Sequence, residues 1–382
     1  MENTKFVAPE IIFGPGSIAQ IGESAIRRGA SKLFLVTDEG VVRSGWVEKA
    51  LPFLVEHDLP YELWSRVTPN PKDHEVEEGA RQYLAAECDA ILAIGGGSPI
   101  DAAKGVAMLV TNGGRIHDYE GVNKITCPLP PMIMVPTTAG TGADVSQFAI
   151  ITDTIRKVKM VLISKSLIPD ISITDPLLLT TKDPQLTACT GMDALTHAIE
   201  AYVSIAATPM TDVLALNAIK LVAKNLRASV ASRANLDAKR NMAMACLQAG
   251  LAFSNAILGA THAMAHQLGA ILDLPHGQAD AILLPHVMEY NLLASVSRFV
   301  DIAQAMGEDI TYLSQREAAD KAIKAVKELA RDIGVPHGLR TIGVAEEDIA
   351  ALSESAIHDA CLVTNPRDAS ARDIAEIFRK AM

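Results

Sequence analysis

This sequence has no CxxC pair, no basic run and no long uncharged apolar stretch, and each absence narrows what the chain can be. Its five cysteines, Cys88, Cys127, Cys189, Cys246 and Cys361, are odd in number and far apart. That excludes a disulfide framework and a thiolate zinc knuckle. No stretch of about 18 apolar residues runs without a charge or a turn signal, so no membrane span is expected. The opening MENTKFVAPE lacks the basic-then-apolar order of a signal peptide, and the expected location is the reducing cytoplasm. With a formal net charge of −11, the chain is not expected to bind nucleic acid or an anionic membrane, because both are polyanions. There is no internal repeat and no low-complexity linker.

What is present fits two domains. The chain has 382 residues, 49% of them hydrophobic, enough for two cores. Over the first half, strand-like and helix-like segments alternate. KLFLVTD (32–38), YELWSRV (61–67), DAILAIGGG (89–97) and PMIMVPTTAG (131–140) read as strands. Residues 45–57, 74–86 and 99–110 read as helices. SQFAIITD (146–153), KMVLIS (159–164) and DISITDP (170–176) add further strands. This order predicts an α/β domain with a mostly parallel sheet over 1–183. From Pro184 strand signals vanish. Stretches 186–203, 210–228, 237–254 and 257–271 carry apolar residues at three-and-four spacing, punctuated later by Pro275, Pro285 and Pro336. An all-α helical domain over 184–382 is expected, with the ligand site in a cleft between the two domains.

Two turns in the first half suit a dinucleotide. GGGSP (95–99) closes a strand and opens a helix, so its glycines can let a phosphate approach the helix N-terminus. Ser98 is placed as N-cap, Pro99 at the first helical position and Asp101 at the third. The spacing is not GxGxxG, and a plain strand-to-helix turn needs nothing more than these residues. Asp38 ends the first clear strand, where a carboxylate can accept from an adenosine ribose and repel a 2′-phosphate, favouring NAD over NADP. An isolated aspartate there also suits a helix cap. TTAGTGAD (137–144) is a second Gly/Thr-rich turn after an apolar strand.

The second half concentrates metal-ligand chemistry. His262, His266 and His276 lie within fifteen residues of one another, and Asp193 and His197 are four apart on a predicted helix. Residues at i and i+4 share a helix face, so both can reach one ion. Imidazoles with one carboxylate suit Fe²⁺ or Zn²⁺ and poorly suit Ca²⁺ or Mg²⁺. Spacing leaves open which of the three clustered histidines are ligands.

Four blocks, GGGSPIDAAK (95–104), PTTAGTGADVS (136–146), GMDALTHAIEAY (191–202) and THAMAHQLGAILDLPHGQADAILLPHV (261–287), together resemble the iron-containing alcohol dehydrogenase family, with its dehydroquinate synthase-like fold. The likeness extends from IIFGPGS (11–17) to TNPRD (364–368). It implies an α/β dinucleotide-binding domain followed by an all-helical metal- and substrate-binding domain. The positions matching the family's metal ligands are Asp193, His197, His262 and His276. His266 matches a histidine beside the nicotinamide that does not bind the metal and belongs to a proton path. The cofactor positions carried over are Asp38, Asn70, Gly96, Gly97, Ser98, Thr137, Thr138, Thr141 and Lys159. Phe253 and Cys361 match residues that line the substrate pocket. Two positions depart from the family pattern: Asp144 stands where relatives usually carry Glu, and Phe148 where some carry a polar residue near the substrate. The resemblance further implies a homodimer or larger homo-oligomer.

The expected function is therefore metal-assisted hydride transfer between NAD and a small primary alcohol or diol, giving the aldehyde, with Fe²⁺ or Zn²⁺ as Lewis acid. A glycerol dehydrogenase-like enzyme or an NADP-linked aldehyde reductase of the same fold is the nearest alternative, and Asp38 argues against NADP. A dehydroquinate synthase-like carbocyclase would need Lys and Arg around a phosphorylated substrate, which the metal segment lacks. A metal-dependent hydrolase without dinucleotide is the alternative of another class, and GGGS and Asp38 count against it.

Overall fold

The structure, a computed structural model, describes residues 5–272 and 274–382. These fall into two compact units, Val7–Thr181 and Lys182–Met382, the latter joined by residues 5–6.

The first unit holds nine strands: β1 (Glu10–Phe13), β2 (Leu33–Val36), β3 (Tyr61–Trp64), β4 (Ala90–Gly95), β5 (Gly121–Val122), β6 (Met132–Pro136), β7 (Phe148–Asp153), β8 (Val158–Ile163) and β9 (Ile171–Thr174). Six of them form one sheet in the order β1-β9-β6-β4-β2-β3, with every pairing parallel. The continuous apolar runs of β2, β4 and β6 are buried along their whole length. That is what a parallel sheet covered on both faces requires. Alternate residues feed two separate cores. Phe34, Val36, Ile91, Ala93, Met132 and Met134 pack with Val76, Ala80, Ile100 and Val106 from the helices Asp73–Ala85 and Gly97–Asn112. Leu33, Leu35, Leu92, Ile94, Ile133 and Val135 pack on the other face with Ile21, Ala25, Val47 and Leu54 from the helices Ile21–Arg27 and Trp46–Val55.

Two features of this unit differ from the sequence reading. Segments 146–153 and 159–164 are indeed strands, but β7 and β8 pair antiparallel in a second, three-stranded sheet, β5-β8-β7. The link between them is four residues, far too short for the crossover that a parallel pair needs. In addition β1, at one edge of the large sheet, was not read as a strand. It is only four residues long and half-buried, with no clean alternation.

The chain steps from β2 to its neighbour β3 over one face, then crosses back to place β4 on the other side of β2, and leaves β4 over the opposite face. The carboxyl ends of β2 and β4 therefore flank a topological switch point, the usual ligand crevice of an open α/β sheet.

The second unit is helical, with no strand among its described residues. The sequence marks its helix starts. Asp183 accepts from Leu186 N (2.8 Å) with Pro184 in the first turn, Thr208 pairs reciprocally with Thr211, and Ser314 with Glu317. Pro285, expected to punctuate, lies inside the helix His276–Asn291. One backbone hydrogen bond is lost there. The buried Ile282, Leu283, Leu284, Val287 and Met288 on either side hold the helix together.

Candidate active site

The glycine turn is built by β4. Gly95 ends the strand, Gly96 is the N-cap, and the helix begins at Gly97. Ser98, expected as the cap, is instead the second helical residue, because the glycines let the helix start directly off the strand. No side chain caps this helix, so its first N–H groups are left for a ligand. The second turn packs onto it. Thr137 N donates to Gly95 O at 2.8 Å, and a Cβ on Gly97 would stand 2.7 Å from Thr141 Cγ2. Thr138 lies over Gly96. Of the positions expected for a cofactor, Asp38, Gly96, Gly97, Ser98, Thr137, Thr138 and Thr141 thus follow the ends of β2, β4 and β6. Asp38 follows β2 and accepts from Val41 N at 2.8 Å, so it does cap a helix, Glu39–Arg43. Lys159 donates to Asn70 Oδ1 at 2.6 Å, bringing that expected pair together on β8 and the loop after β3.

A residue that sequence reading passed over secures the second turn. Lys104 is fully buried, and its ammonium donates to the carbonyls of Ala143 (2.6 Å), Ser146 (2.7 Å) and Phe148 (2.8 Å). Burial lowers its pKa to about 8, against the pull of Asp101 and Asp144. Asp144, the departure from the family's glutamate, is buried and accepts from Ser172 Oγ at 2.6 Å.

In the second unit the helix Pro184–Val203 carries Asp193, His197 and Glu200 on one buried face, at i, i+4 and i+7. The helix Leu236–Ala256 ends at Ile257, held at φ 63°, and the helix Ala260–Ile271 leaves at 101° to it. Glu200 accepts from Gly259 N (3.0 Å) and Thr261 N (2.6 Å), and Asn365 Oδ1 from Ala260 N (3.1 Å), so two side chains cap that helix. The same Glu200 carboxylate takes His262 Nδ1 at 2.7 Å, which leaves His262 Nε2 directed at Asp193 Oδ1 and Asp280 Oδ2, each 3.8 Å away. The helix His276–Asn291 contributes His276 and Asp280, whose Nε2 and Oδ2 are 3.2 Å apart. Its close approach needs Gly277: a Cβ there would stand 2.6 Å from Cys189 O.

One donor atom each from Asp193, His262, His276 and Asp280 lies within 4.8 Å of all the others. His197 Nε2 is 3.6 Å from Asp193 Oδ1, and its ring stacks between His262 (centroids 4.5 Å apart) and Phe253 (4.3 Å). His266 stands outside that group of donors. Its Nδ1 meets Asp359 Oδ2 at 2.8 Å, and its ring stacks on His276 at 5.4 Å. Asp359 also accepts from Cys361 N at 2.9 Å. Of the expected pocket residues, Phe253 and Cys361 therefore come to the histidines, while Phe148 belongs to the first unit, as the first residue of β7.

The sequence matches the iron-containing alcohol dehydrogenase family over residues 8–176 and the C-terminal region of the Fe-containing alcohol dehydrogenase family over 187–382. The chain belongs to the iron-containing alcohol dehydrogenase family. It is 47% identical over 379 residues to 1,3-propanediol dehydrogenase of Klebsiella pneumoniae, covering 98% of each chain. It is 40% identical over 377 residues to NAD-dependent methanol dehydrogenase of Bacillus methanolicus, covering 99% of each. A crystal structure of 1,3-propanediol oxidoreductase superposes with a TM-score of 0.98 at 46% identity, covering all of both chains. The enzyme is thus an oxidoreductase of the alcohol dehydrogenase class.

The second-unit cluster in this family member fits the metal its family name implies. Among the described residues, Asp193 Oδ1, His262 Nε2 and both carboxylate oxygens of Asp280 are buried without a hydrogen-bond partner. Leaving such groups unpaired costs about 1–3 kcal/mol each, and more for charged ones. Electrostatics agrees. Burial pushes the Asp193 carboxyl up, but the His197, His276 and His262 charges beside it hold it below the usual carboxylate range. Burial pushes His262 down, and Asp280, Asp193 and Glu200 raise it well above the ordinary imidazole value. Three carboxylates crowd these rings, an arrangement that favours positive charge. Burial, then Asp359 and Glu200, raise the Cys361 thiol well above its ordinary value, so it stays protonated.

Glu200, Asp280 and Asp359 were not singled out in the sequence. His276 and Asp280 share the same four-residue spacing that marks Asp193 and His197, and that signal was available. Nothing local marks Asp359, which reaches His266 from 93 residues away.

Proposed function

We propose that this chain interconverts small primary alcohols, including short diols, and their aldehydes, with NAD as hydride carrier and a divalent cation, Fe²⁺ first and Zn²⁺ second, held by Asp193, His197, His262 and His276. The observation that carries this reading is the buried donor cluster with Asp193 Oδ1 and His262 Nε2 left unpartnered. When bound, the cation supplies Lewis acidity toward the substrate oxygen and NAD supplies the hydride acceptor.

The chain's own residues do the rest. Glu200 fixes His262 through Nδ1 and so aims Nε2. Asp359 accepts only, so His266 carries its proton on Nδ1, and its Nε2 is the nitrogen that can take the hydroxyl proton during oxidation and return it during reduction. Phe253, stacked on His197, gives the substrate an apolar wall. In the first unit, the uncapped N-terminus of the helix Gly97–Asn112 receives the pyrophosphate, with Thr137, Thr138 and Thr141 around it. Asp38 takes the adenosine ribose and repels a 2′-phosphate. This reading makes Val7–Thr181 the NAD-binding domain and Lys182–Met382 the metal- and substrate-binding domain.

The names of the relatives, which include propanediol and methanol dehydrogenases, support a short alcohol as substrate. A cytoplasmic location suits cysteines that form no disulfide, and a homo-oligomer suits a sheet that ends at β1 and β3, each paired on one side only within that sheet. The test is an anaerobic screen of the Fe²⁺-loaded protein with short alcohols, diols and aldehydes, following NADH. Turnover of a short alcohol with NAD is expected. No NAD-linked turnover of any of them overturns the reading.

A further inference from the structure

We infer that Asp280 is itself directed at the metal, so that the site holds two carboxylates and not one. The inference rests on the metal site proposed above. Asp280 is fully buried, and neither of its carboxylate oxygens accepts a hydrogen bond. The other buried acids of this unit are occupied: Glu200 takes three donors, and Asp359 takes His266 and the backbone of Cys361. Among the described residues, only Asp193, an expected ligand, shares the pattern of an unpartnered oxygen facing the imidazoles.

Which side of the rings Asp280 occupies decides its role. Glu200 meets His262 at Nδ1, away from the cluster, as an orienting group does. Asp280 faces the opposite nitrogens, 3.2 Å from His276 Nε2 and 3.8 Å from His262 Nε2. Those nitrogens are the ones offered to a cation, so Asp280 Oδ2 stands beside them at the separations of a further donor to the same cation. Donors bound to one ion at about 2.0–2.2 Å lie at most about twice that distance apart. The 4.8 Å limit on the group Asp193, His262, His276 and Asp280 is close to that size.

Two carboxylates cancel the charge of a divalent cation, whereas without one they repel each other across a buried pocket. With His197 the donor set becomes three imidazoles and two carboxylates. That exceeds the tetrahedral shell of zinc and suits a five- or six-coordinate Fe²⁺ or Mn²⁺ with room for a substrate oxygen.

The experiment measures metal affinity by chelator competition with Mn²⁺ and the visible spectrum of the Co²⁺-loaded protein, neither of which depends on turnover. It compares wild type, Asp280→Asn, Asp280→Ala and His276→Ala. Both Asp280 variants are expected to bind Mn²⁺ at least about tenfold more weakly than wild type, with an altered Co²⁺ band. Affinity within about threefold of wild type, or an unchanged Co²⁺ band, overturns the inference. If wild type takes up no metal, or His276→Ala binds as wild type does, the underlying metal reading fails as well, and the controls identify that case separately.

Discussion

The Glu200 carboxylate meets His262 Nδ1 at 2.7 Å and in the same place caps the helix on which His262 sits. One buried acid therefore sets both the start of the helix Ala260–Ile271 and the direction of a proposed ligand. Glu200→Gln keeps the shape but swaps an acceptor for a donor on one side. It should weaken metal binding by about 10–100-fold while His262 stays in place. Chelator competition measures this, and unchanged affinity would show that the Glu200 contact does not orient the ring.

Cofactor choice should follow Asp38. Replacement by Gly removes the charge that repels a 2′-phosphate and costs the Glu39–Arg43 helix only a few tenths of a kcal/mol, because glycine is a tolerated N-cap. Asp38→Gly should shift the ratio of kcat/KM for NADP over NAD upward by at least about tenfold, or roughly 1.4 kcal/mol. A wild type that already prefers NADP, or a ratio that does not move, removes Asp38 from the cofactor site.

Substrate preference should reflect the apolar wall at Phe253, which stacks on His197. Extra hydroxyls placed against such a wall lose hydrogen bonds to water without replacement. Propanol and 1,2-propanediol should therefore show a higher kcat/KM than glycerol, and steady-state kinetics on the three decides it. A preference for glycerol would mean that polar groups line the pocket.

A pH-dependent contribution to stability is expected at Asp73. It accepts from His74 N (2.8 Å) and from Thr154 N (3.2 Å) and Oγ1 (3.0 Å), tying the β7–β8 hairpin to the helix Asp73–Ala85. Burial pushes its carboxyl up, but these hydrogen bonds hold it below 3.8. A carboxyl lowered in the fold adds stability above its unfolded pKa and loses it as pH falls through the folded one. Asp73→Asn should thus cost about 1–2 kcal/mol at neutral pH, with the gap to wild type closing below pH 3.8. Denaturant melts across pH measure it, and a gap that persists in acid assigns the loss to packing.

The α/β and helical halves were legible because periodicity survives in a single chain. The continuous apolar runs of β2, β4 and β6 and the three-and-four spacing after Pro184 each report a burial pattern directly. What could not be read depends on partners distant in sequence. The short link already implies the antiparallel β7–β8 pair, but its place in a separate sheet was hidden, because segment type says nothing about which strands pair. The glycine turn was read correctly as a strand-to-helix junction, but Gly96 and not Ser98 is the N-cap, with Gly97 packed against Thr141, 44 residues on. His262 and His266 are equivalent by helical spacing. They are told apart only by Glu200 and Asp359, two acids brought in by other helices and loops.

His276 and His266 carry the most direct test. His276 lies in the donor group with Asp193 and His262, and His266 beside it on Asp359. Losing a ligand weakens a metal site thermodynamically, whereas losing a neighbouring proton carrier leaves the ion in place. The measurement is metal content per chain, by elemental analysis, for wild type, His276→Ala and His266→Ala, with kcat followed across pH. The account predicts near-stoichiometric metal in wild type and in His266→Ala, whose turnover falls or whose pH profile shifts, and little metal in His276→Ala. A His266→Ala protein that loses its metal while His276→Ala keeps it would contradict the account.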